Sequence, residues 1–341
     1  MRIIVIGSYK WEMYAPAIFS GFVNLGHEVR PIDYDSFLTK STHATDKIYN
    51  RIQNRYHIGL GIKAYNKAVI KETYEFNPDF VFLYRCYGIY GSTVNVIRKV
   101  TKVFTYNNDD PFSGVPSHNY YSHYIKSTRL SDLNFVYRQK NVEDFKKLGV
   151  KNVRVLKPYY LSNQNFPIEC KKDIPVAFLG HFENDGRDMT IKKMIDAGIN
   201  VTVFGDEAWK NAPMYESIKS NVKGDKRGKD YNDTMNRTQI VLVFLSKINH
   251  DTYTRRCFEI PATKRLMLCE YTDDMNEMFP ENEAAVYFRS PQDLIEKCKY
   301  LLENPSEIDR ISKNGFTRLN QIGGSEIDRA QEIIDAYTNI A

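Results

Sequence analysis

The stretch that decides the fold reads Phe178-Leu-Gly-His-Phe-Glu-Asn-Asp-Gly-Arg187, and it joins a predicted strand, Val176 to Gly180, to a predicted helix, Thr190 to Ala197. A strand, a glycine-containing loop and a helix start present free backbone N–H groups to an anion, and the helix dipole adds to the attraction. Arg187 contributes a fork-shaped cation that suits a diphosphate. The loop matches neither GxGxxG, the nicotinamide-dinucleotide fingerprint, nor GxxxxGK[ST], the P-loop. It therefore predicts a different kind of anion site.

A second charged loop follows a predicted strand, Gln239 to Ser246, whose unbroken apolar run indicates burial on both faces. The chain continues as Asp251-Thr-Tyr-Thr-Arg-Arg-Cys-Phe-Glu-Ile-Pro-Ala262, at the carboxyl end of that strand, where parallel sheets bind ligands. Thr254 and Arg256 are therefore predicted to hold phosphates, and Glu259 to accept hydrogen bonds from vicinal ribose hydroxyls. The alternative is a solvated helix on which these arginines pair with the neighbouring carboxylates.

Two adjacent carboxylates follow a further predicted strand, Lys102 to Tyr106, in the sequence Asn107-Asn-Asp-Asp-Pro-Phe-Ser-Gly114. A carboxylate at the carboxyl end of a strand can act as a general base or orient a hydroxyl group. Asp109 and Asp110 are therefore both candidate catalytic residues, and the pattern does not decide between them. The alternative is a turn that the proline closes.

Other polar residues carry weaker signals. Gly7 and Ser8 form a tight loop after the first strand, which is predicted to bring backbone close to a ligand. The seven histidines show no paired spacing, so no metal site is expected, although His181 lies inside the predicted phosphate loop. The five cysteines lack a CxxC pair, which argues against a zinc site or a disulfide framework.

Composition limits the class of protein. The chain has 341 residues, of which 42% are hydrophobic and 26% charged, and this excludes a mainly disordered protein. The longest purely apolar run, Ile240 to Leu245, is far shorter than the ~20 residues of a membrane span. The N-terminus is predicted to be a strand and not a signal peptide, which favours a cytoplasmic protein. The net charge of +5 permits an anionic substrate or a membrane surface without requiring either.

Strands and helices alternate along the chain, beginning with strand Arg2 to Gly7, helix Ala15 to Leu25 and strand Glu28 to Ile32. Such units form parallel, right-handed crossovers. Between Lys157 and Pro175 prolines punctuate a polar stretch, which is typical of a linker. The pattern predicts an α/β protein with two doubly wound Rossmann-like domains that face each other across a cleft. The predicted boundaries are 1–157 for the N-terminal domain, 158–173 for the linker, 174–321 for the C-terminal domain and 322–341 for a terminal helix that can pack back on the first domain.

Several of these stretches resemble glycosyltransferases of the GT-B fold, specifically the CgeB-like group 1 type. Over 174–320 the similarity is carried by Phe178-Leu-Gly, Gly186-Arg187, the segment Thr254 to Ala262 and Leu266-Met-Leu-Cys-Glu270. Before residue 150 it is looser. The resemblance implies a GT-B fold and a nucleotide-diphosphate sugar, such as a UDP-sugar, as donor.

The resemblance also implies roles for individual residues. Group 1 retaining enzymes carry two glutamates separated by seven residues, of which the second holds the ribose. Glu259 matches that second glutamate, whereas the first position falls on Asp251, a shorter acid. The T-even phage DNA β-glucosyltransferases use an aspartate ahead of Pro-Phe-Ser as general base of an inverting transfer, and Asp109 or Asp110 matches it.

Two arginines bind the donor diphosphate in those phage enzymes, and Arg187 and Arg256 match them. The resemblance therefore implies a metal-independent, inverting glycosyltransferase without a cofactor.

Its acceptor would be a glycan, a lipid-linked molecule or a protein, held by the segments 40–75 and 112–130. The transfer would belong to the synthesis of surface polysaccharide, lipopolysaccharide or glycoprotein. A peripheral contact with the inner face of the membrane is left open. One alternative is a phage-type transferase for hydroxymethylated DNA bases, the case in which nucleic acid is a partner, and another is a non-catalytic nucleotide-sugar-binding protein. The predicted site residues are Asp109 and Asp110 as catalytic base, Gly180, His181, Arg187, Thr254 and Arg256 at the diphosphate, Glu259 at the ribose, and Gly7, Ser8 and Asp251 at the donor sugar or in adjoining loops.

Overall fold

Two parallel sheets of six strands each form the framework of the computed structural model, which describes residues 1–38, 44–115 and 118–340. Each sheet belongs to its own unit. The first unit joins Met1–Pro158 to Glu326–Ala341, and the second is Tyr159–Ser325. Parts of the two segments expected to hold the acceptor, residues 40–43 and 116–117, lie outside the described residues.

The sheet of the first unit has the strand order β2-β1-β3-β4-β5-β6, with all neighbours parallel. Its strands are β1 (Arg2–Gly7), β2 (Glu28–Asp33), β3 (Phe80–Tyr84), β4 (Lys102–Asn107), β5 (Leu133–Val136) and β6 (Val153–Val155). The helices that connect them are α1 (Ala15–Asn24), α2 (Ala44–Tyr56), α3 (Leu60–Phe76), α4 (Gly91–Ile97), α5 (Ser122–Thr128) and α6 (Gln139–Lys147).

The sheet of the second unit has the order β12-β11-β10-β7-β8-β9, which is the Rossmann order 6-5-4-1-2-3 in local numbering. Its strands are β7 (Ile174–Leu179), β8 (Val201–Phe204), β9 (Val222–Lys223), β10 (Thr238–Val243), β11 (Leu266–Glu270) and β12 (Val286–Phe288). Its helices are α7 (Arg187–Asp196), α8 (Tyr215–Ile218), α9 (Gly228–Arg237), α10 (Arg256–Ala262), α11 (Asp273–Met278), α12 (Pro291–Glu303) and α13 (Pro305–Ile322).

The last helix, α14 (Glu326–Thr338), belongs to the first unit and packs on α1. Gly21 of α1 permits this approach, because a Cβ at that position would collide with the carbonyl of Glu326 and the side chain of Ala330. Residues 159–173 belong to the second unit, where the amide of Asn236 donates to the carbonyl of Phe166 at 3.0 Å. No helix among the described residues is long and apolar enough to cross a membrane.

Burial of the central strands explains why the sheets form. Ile3 to Ile6 in β1 and Ile240 to Val243 in β10 are wholly buried, as expected for parallel strands with helices on both faces. The strand predicted through Ser246 ends three residues earlier, because the N–H of Leu245 donates to the Glu270 side chain and not to a neighbouring strand. Helix α7 begins at Arg187, earlier than predicted, because Gly186 with φ of 91° allows the sharp entry into the helix.

In each sheet, successive strands are added first on one side of the first strand and then on the other, and this switch occurs at one point. That point lies between β1 and β3 in the first sheet and between β7 and β10 in the second. Open α/β sheets bind ligands outside the carboxyl ends of the strands at such a point. The Gly7 and Gly180 loops follow β1 and β7, so both lie at these positions.

Candidate active site

The carboxylate of Asp109, just beyond β4, is held on one side only. Its Oδ2 accepts hydrogen bonds from Arg85 Nη2 at 2.6 Å and from the Tyr87 hydroxyl at 2.7 Å. Among the described residues no group donates to its Oδ1. The side chain is 26% exposed. One oxygen is therefore fixed and the other can accept a proton.

Asp110 has a different environment, although it is the next residue. Its side chain is fully buried, and its Oδ1 accepts the N–H of Phe112 at 2.9 Å and the Asn141 amide at 2.8 Å. These contacts close the turn after β4 and tie it to α6. The carboxylate of Asp110 stabilises the loop that carries Asp109.

Arg85 is a site residue that sequence reasoning missed. It directly follows β3 at the point where the chain direction reverses, and its φ of 52° is left-handed, which is uncommon for a residue with a side chain. Its N–H donates to the carbonyl of Tyr106 at 2.8 Å, and its guanidinium lies 4.7 Å from the centre of the Tyr14 ring. Strained backbone of this kind clusters at functional sites. The signal available in the sequence was a cation immediately after a buried strand.

Aromatic side chains surround the Arg85–Asp109 pair. The Tyr87 hydroxyl oxygen also lies 3.0 Å from Asn107 Oδ1, a second acceptor for its single proton, and burial raises the pKa of Tyr87 well above its ordinary value. The ring of Tyr120 lies 4.9 Å from that of Tyr87 and 4.7 Å from that of His57. These rings form an apolar wall beside a charged pair, which is an arrangement typical of a small-molecule site.

Burial of His57 in this wall predicts that the stability of the protein depends on pH. Burial, with the charge of nearby His123, lowers the pKa of His57 to about 4, whereas an unfolded histidine titrates near 6.5. The unfolded chain therefore binds the proton first as the pH falls. We expect the free energy of unfolding to decrease between about pH 6.5 and about pH 4 by up to roughly 3 kcal/mol from this residue.

Denaturant melts across that pH range test this prediction with His57→Asn against wild type. His250→Asn is the matched control, because His250 also has a left-handed φ, of 54°, and is exposed. We expect a weaker pH dependence in the first variant and the wild-type dependence in the second. Equal slopes in all three proteins would contradict the prediction.

In the second unit, Arg256 lies against the Gly180 loop. Its Nε donates to the carbonyl of Leu179, and its guanidinium lies 5.7 Å from the centre of the Phe178 ring. A Cβ on Gly180 would collide with Arg256 Nη2, so a side chain at this position would displace the guanidinium. Within the described part of the chain, neither Nη1 nor Nη2 of Arg256 has a carboxylate or other acceptor within bonding distance. The guanidinium is thus held in place with its outer nitrogens available to an anion.

Arg187 is paired within its own loop. Its Nη2 lies 2.6 Å from Asp185 Oδ2, its Nε 2.9 Å from Asp185 Oδ1, and its Nη1 3.0 Å from the carbonyl of His181. Glu183 lies nearby and bonds to His181 Nε2 at 3.0 Å. Burial would raise the pKa of Glu183, but the His181 hydrogen bond and the charge of Arg187 lower it. Arg187 therefore organises the loop from within.

Glu259 lies one turn inside α10 and is almost fully buried. Its Oε1 lies 2.9 Å from Arg255 Nε, and its Oε2 accepts the Tyr231 hydroxyl at 2.7 Å. A carboxylate offers about four acceptor positions, so both oxygens can accept further hydrogen bonds. Tyr231, on α9, is a second residue that sequence reasoning missed, because no motif marks the polar stretch around it.

The remaining predicted residues are held mainly by contacts and hydrogen bonds of the loops in which they lie. Gly7 packs against Tyr84 so closely that a Cβ would collide with it, and the Ser8 hydroxyl donates to Asp35 at 2.5 Å. The N–H of Asp251 donates to the carbonyl of Ser246 at 2.9 Å, and Thr254 accepts the N–H of Cys257 at 3.0 Å. The structure thus brings Arg256, Gly180 and Glu259 together in the second unit, and Asp109 with Arg85 in the first. Among the residues with described positions, no group of three or more His, Cys, Asp or Glu side chains could hold a metal ion.

Similar structures define the fold class. Sucrose-phosphate synthase from Thermosynechococcus elongatus matches with a TM-score of 0.70 at 10% identity, over 100% of this chain and 99% of that one. Anabaena HepE in complex with UDP and glucose matches with a TM-score of 0.68 at 12% identity, over 99% of this chain and 100% of that one. A glycosyltransferase from Rickettsia africae gives 0.68 at 12% identity, over 99% and 98% of the two chains. The chain has the GT-B fold, and the predicted fold class is confirmed.

The sequence comparison is more local. Residues 187–335 match the model of a family described as glycosyl transferase-like, which is less than half of the chain. No curated protein matches the chain. The matched stretch begins at Arg187 and includes α10 with Arg256 and Glu259.

Proposed function

We propose that this protein is a glycosyltransferase that moves a sugar from a nucleotide-diphosphate donor to a hydroxyl acceptor. The observation that carries the proposal is the pair Arg256 and Glu259, one turn apart on α10, beside the point where the second sheet reverses its strand order. A cation and a carboxylate at that spacing suit the diphosphate and the ribose of one nucleotide. The family match over 187–335 and the UDP bound to Anabaena HepE support a UDP-sugar as donor.

On the donor side, the outer nitrogens of Arg256 bind the diphosphate and stabilise the negative charge that develops as it leaves. Gly180, His181, Arg187 and Thr254 shape the loops around it, with Arg187 acting through its pairing with Asp185. No divalent metal and no further cofactor is required in this proposal. Asp251 belongs to the loop before α10 and contributes to the donor-sugar side.

On the acceptor side, we assign the general base to Asp109. The acceptor oxygen attacks the anomeric carbon and forms the new glycosidic bond, while the bond from that carbon to the diphosphate oxygen breaks. The hydroxyl proton goes to Asp109 Oδ1, and the diphosphate leaves with the bonding electron pair. One displacement inverts the anomeric configuration. The Arg85 and Tyr87 hydrogen bonds to Oδ2 support this assignment, because they leave Oδ1 available to accept the proton.

The acceptor is proposed to be a glycan, a lipid-linked molecule or a protein on the cytoplasmic side of a membrane, in polysaccharide, lipopolysaccharide or glycoprotein synthesis. The partly exposed ring of Tyr120, which packs on Tyr87 beside Asp109, supports a sugar acceptor, because aromatic faces stack on sugars. The salt dependence of acceptor binding separates this proposal from transfer to DNA bases, for which affinity falls steeply with salt.

A thermal-shift screen across nucleotide-diphosphate sugars, followed by a transfer assay with the best donor, tests the function. A donor at about 100 times its dissociation constant adds about 2.7 kcal/mol of stability. We expect one UDP-sugar to stabilise the protein, and transfer or slow donor hydrolysis to continue in excess chelator. Activity that chelator abolishes and magnesium or manganese restores would contradict the metal-independent mechanism, and stabilisation without any turnover would indicate a binding protein.

The ribose contact is tested at Glu259. Glu259→Gln keeps the shape of the side chain and removes its charge, so hydrogen bonds from ribose hydroxyls become weaker by about 1 kcal/mol or more. We expect the affinity for UDP to fall about tenfold. Calorimetric titration measures it, and Tyr231→Phe is the control, because it removes a hydrogen bond to the same carboxylate without changing its charge. Unchanged UDP affinity in Glu259→Gln would contradict the assignment.

A further inference from the structure

Helix α2 exposes apolar side chains and buries a polar one, which is the reverse of an ordinary surface helix. Its inner face carries Gln53, which is 1% exposed, whereas Ile48 is 66% and Ile52 44% exposed. Tyr56 continues the outward row one turn further on, and Leu60, at the start of α3, is 77% exposed. A surface helix normally buries such residues, and an exposed contiguous apolar row marks an interaction site.

A row of basic residues runs beside this apolar row. Lys47, Arg51 and Arg55 follow each other at the spacing of one helical turn, and each immediately precedes a member of the apolar row, so the two rows are adjacent on the helix surface. All three are exposed. Among the residues that the structure describes, none gives these cations a carboxylate at ion-pair distance.

We propose that this face of α2 docks on an anionic lipid bilayer. An interfacial helix buries its apolar row at the boundary between headgroups and acyl chains and places its basic residues among the headgroups. Ile48, Ile52 and Tyr56 are the inserted residues, and the three cations contact lipid phosphates. Charge complementarity selects an anionic membrane over an apolar protein surface, because lipid phosphates offer the three cations a counter-charge and an apolar surface offers none.

The helix that carries the docking face is linked to the candidate base through buried rings. The residue after α2 is His57, whose ring lies 5.9 Å from that of Tyr87, and the Tyr87 hydroxyl bonds to Asp109 at 2.7 Å. A membrane-bound acceptor would thus meet the unit that carries Asp109. This consequence rests on the proposed function, whereas the docking itself does not.

Vesicle flotation tests the docking with the full chain and without donor or acceptor. Wild-type protein is expected to float with vesicles of phosphatidylcholine and phosphatidylglycerol, less so at high salt, and weakly with phosphatidylcholine alone. Replacing Lys47, Arg51 and Arg55 by Gln should lower binding to the anionic vesicles roughly a hundredfold. Ile48→Ser with Ile52→Ser should lower it about tenfold or more. Thermal melts verify that the exposed substitutions leave the fold intact.

Two matched variants serve as controls. Replacing the exposed Lys99, Lys146 and Lys151 by Gln makes the same change in net charge, and Val23→Ser with Val100→Ser removes two exposed apolar side chains from the same unit. Both should float like the wild type. Three outcomes would overturn the proposal: no flotation of the wild type, equal loss in the controls, or a lipid-free dimer that Ile48→Ser with Ile52→Ser dissociates, since this face would then join two copies. Failure of flotation leaves the transferase proposal untouched.

Discussion

Asp109→Asn is expected to reduce glycosyl transfer about 100-fold or more while UDP binds with unchanged affinity. The amide has the shape of the carboxylate but cannot accept the hydroxyl proton, and general base catalysis contributes about that factor or more. Arg85 and Tyr87 hold one oxygen in place, so the loss falls on the chemical step. Steady-state turnover and calorimetric titration with UDP measure the two quantities separately.

Asp110→Asn is the matched control for this prediction. The buried Asp110 carboxylate accepts hydrogen bonds from Phe112 and Asn141, so its replacement weakens the turn and lowers the free energy of unfolding by about 1–3 kcal/mol. Turnover at a temperature where the variant is folded should fall much less than in Asp109→Asn. Equal turnover of wild type and Asp109→Asn, or a product that retains the anomeric configuration of the donor by proton NMR, would contradict the assigned base.

Arg256→Ala is expected to weaken UDP binding by about tenfold to a hundredfold and to lower turnover further. A hydrogen bond to a charged group contributes about 1.5–3 kcal/mol, which corresponds to that range. Turnover falls more than affinity, because the charge on the diphosphate grows as the sugar leaves. Among the described residues no carboxylate pairs with the outer nitrogens of Arg256, so the stability lost is mainly that of the Nε bond to the Leu179 carbonyl, about 1–2 kcal/mol.

Two other arginines of the same unit calibrate the result. Arg237→Ala removes an exposed cation that pairs with Asp173, and it should leave UDP affinity unchanged. Arg187→Ala breaks a buried pair with Asp185, and such a break typically costs 3–5 kcal/mol of stability. We therefore expect Arg187→Ala to melt at a distinctly lower temperature, unlike Arg256→Ala. Unchanged UDP affinity in Arg256→Ala would show that the diphosphate binds elsewhere.

Most of the fold could be predicted from the sequence. The apolar runs in β1 and β10 and the glycine loop that begins at Gly180 indicated parallel α/β units before any contact was known. Element ends were less accurate: the strand before Lys247 was predicted too long, because a side-chain contact from Glu270 and not the apolar run terminates it. Polar segments were hardest to interpret, and no motif in the sequence pointed to Tyr231 on α9.

The amino-acid sequence by itself determined that charged residues follow buried strands, because strand periodicity and position after a strand are local properties. This identified four candidate site residues: Asp109, Asp110, Arg256 and Glu259. The tertiary structure decided how these candidates differ. Asp109 is held by Arg85, 24 residues away, Asp110 by Asn141, 31 residues away, and Arg256 by Leu179, 77 residues away. Such distant partners decide which oxygen of Asp109 lacks a donor and which nitrogens of Arg256 lack an acceptor among the described residues. They also decide which face of α2 meets solvent, and they are set only when the chain has folded.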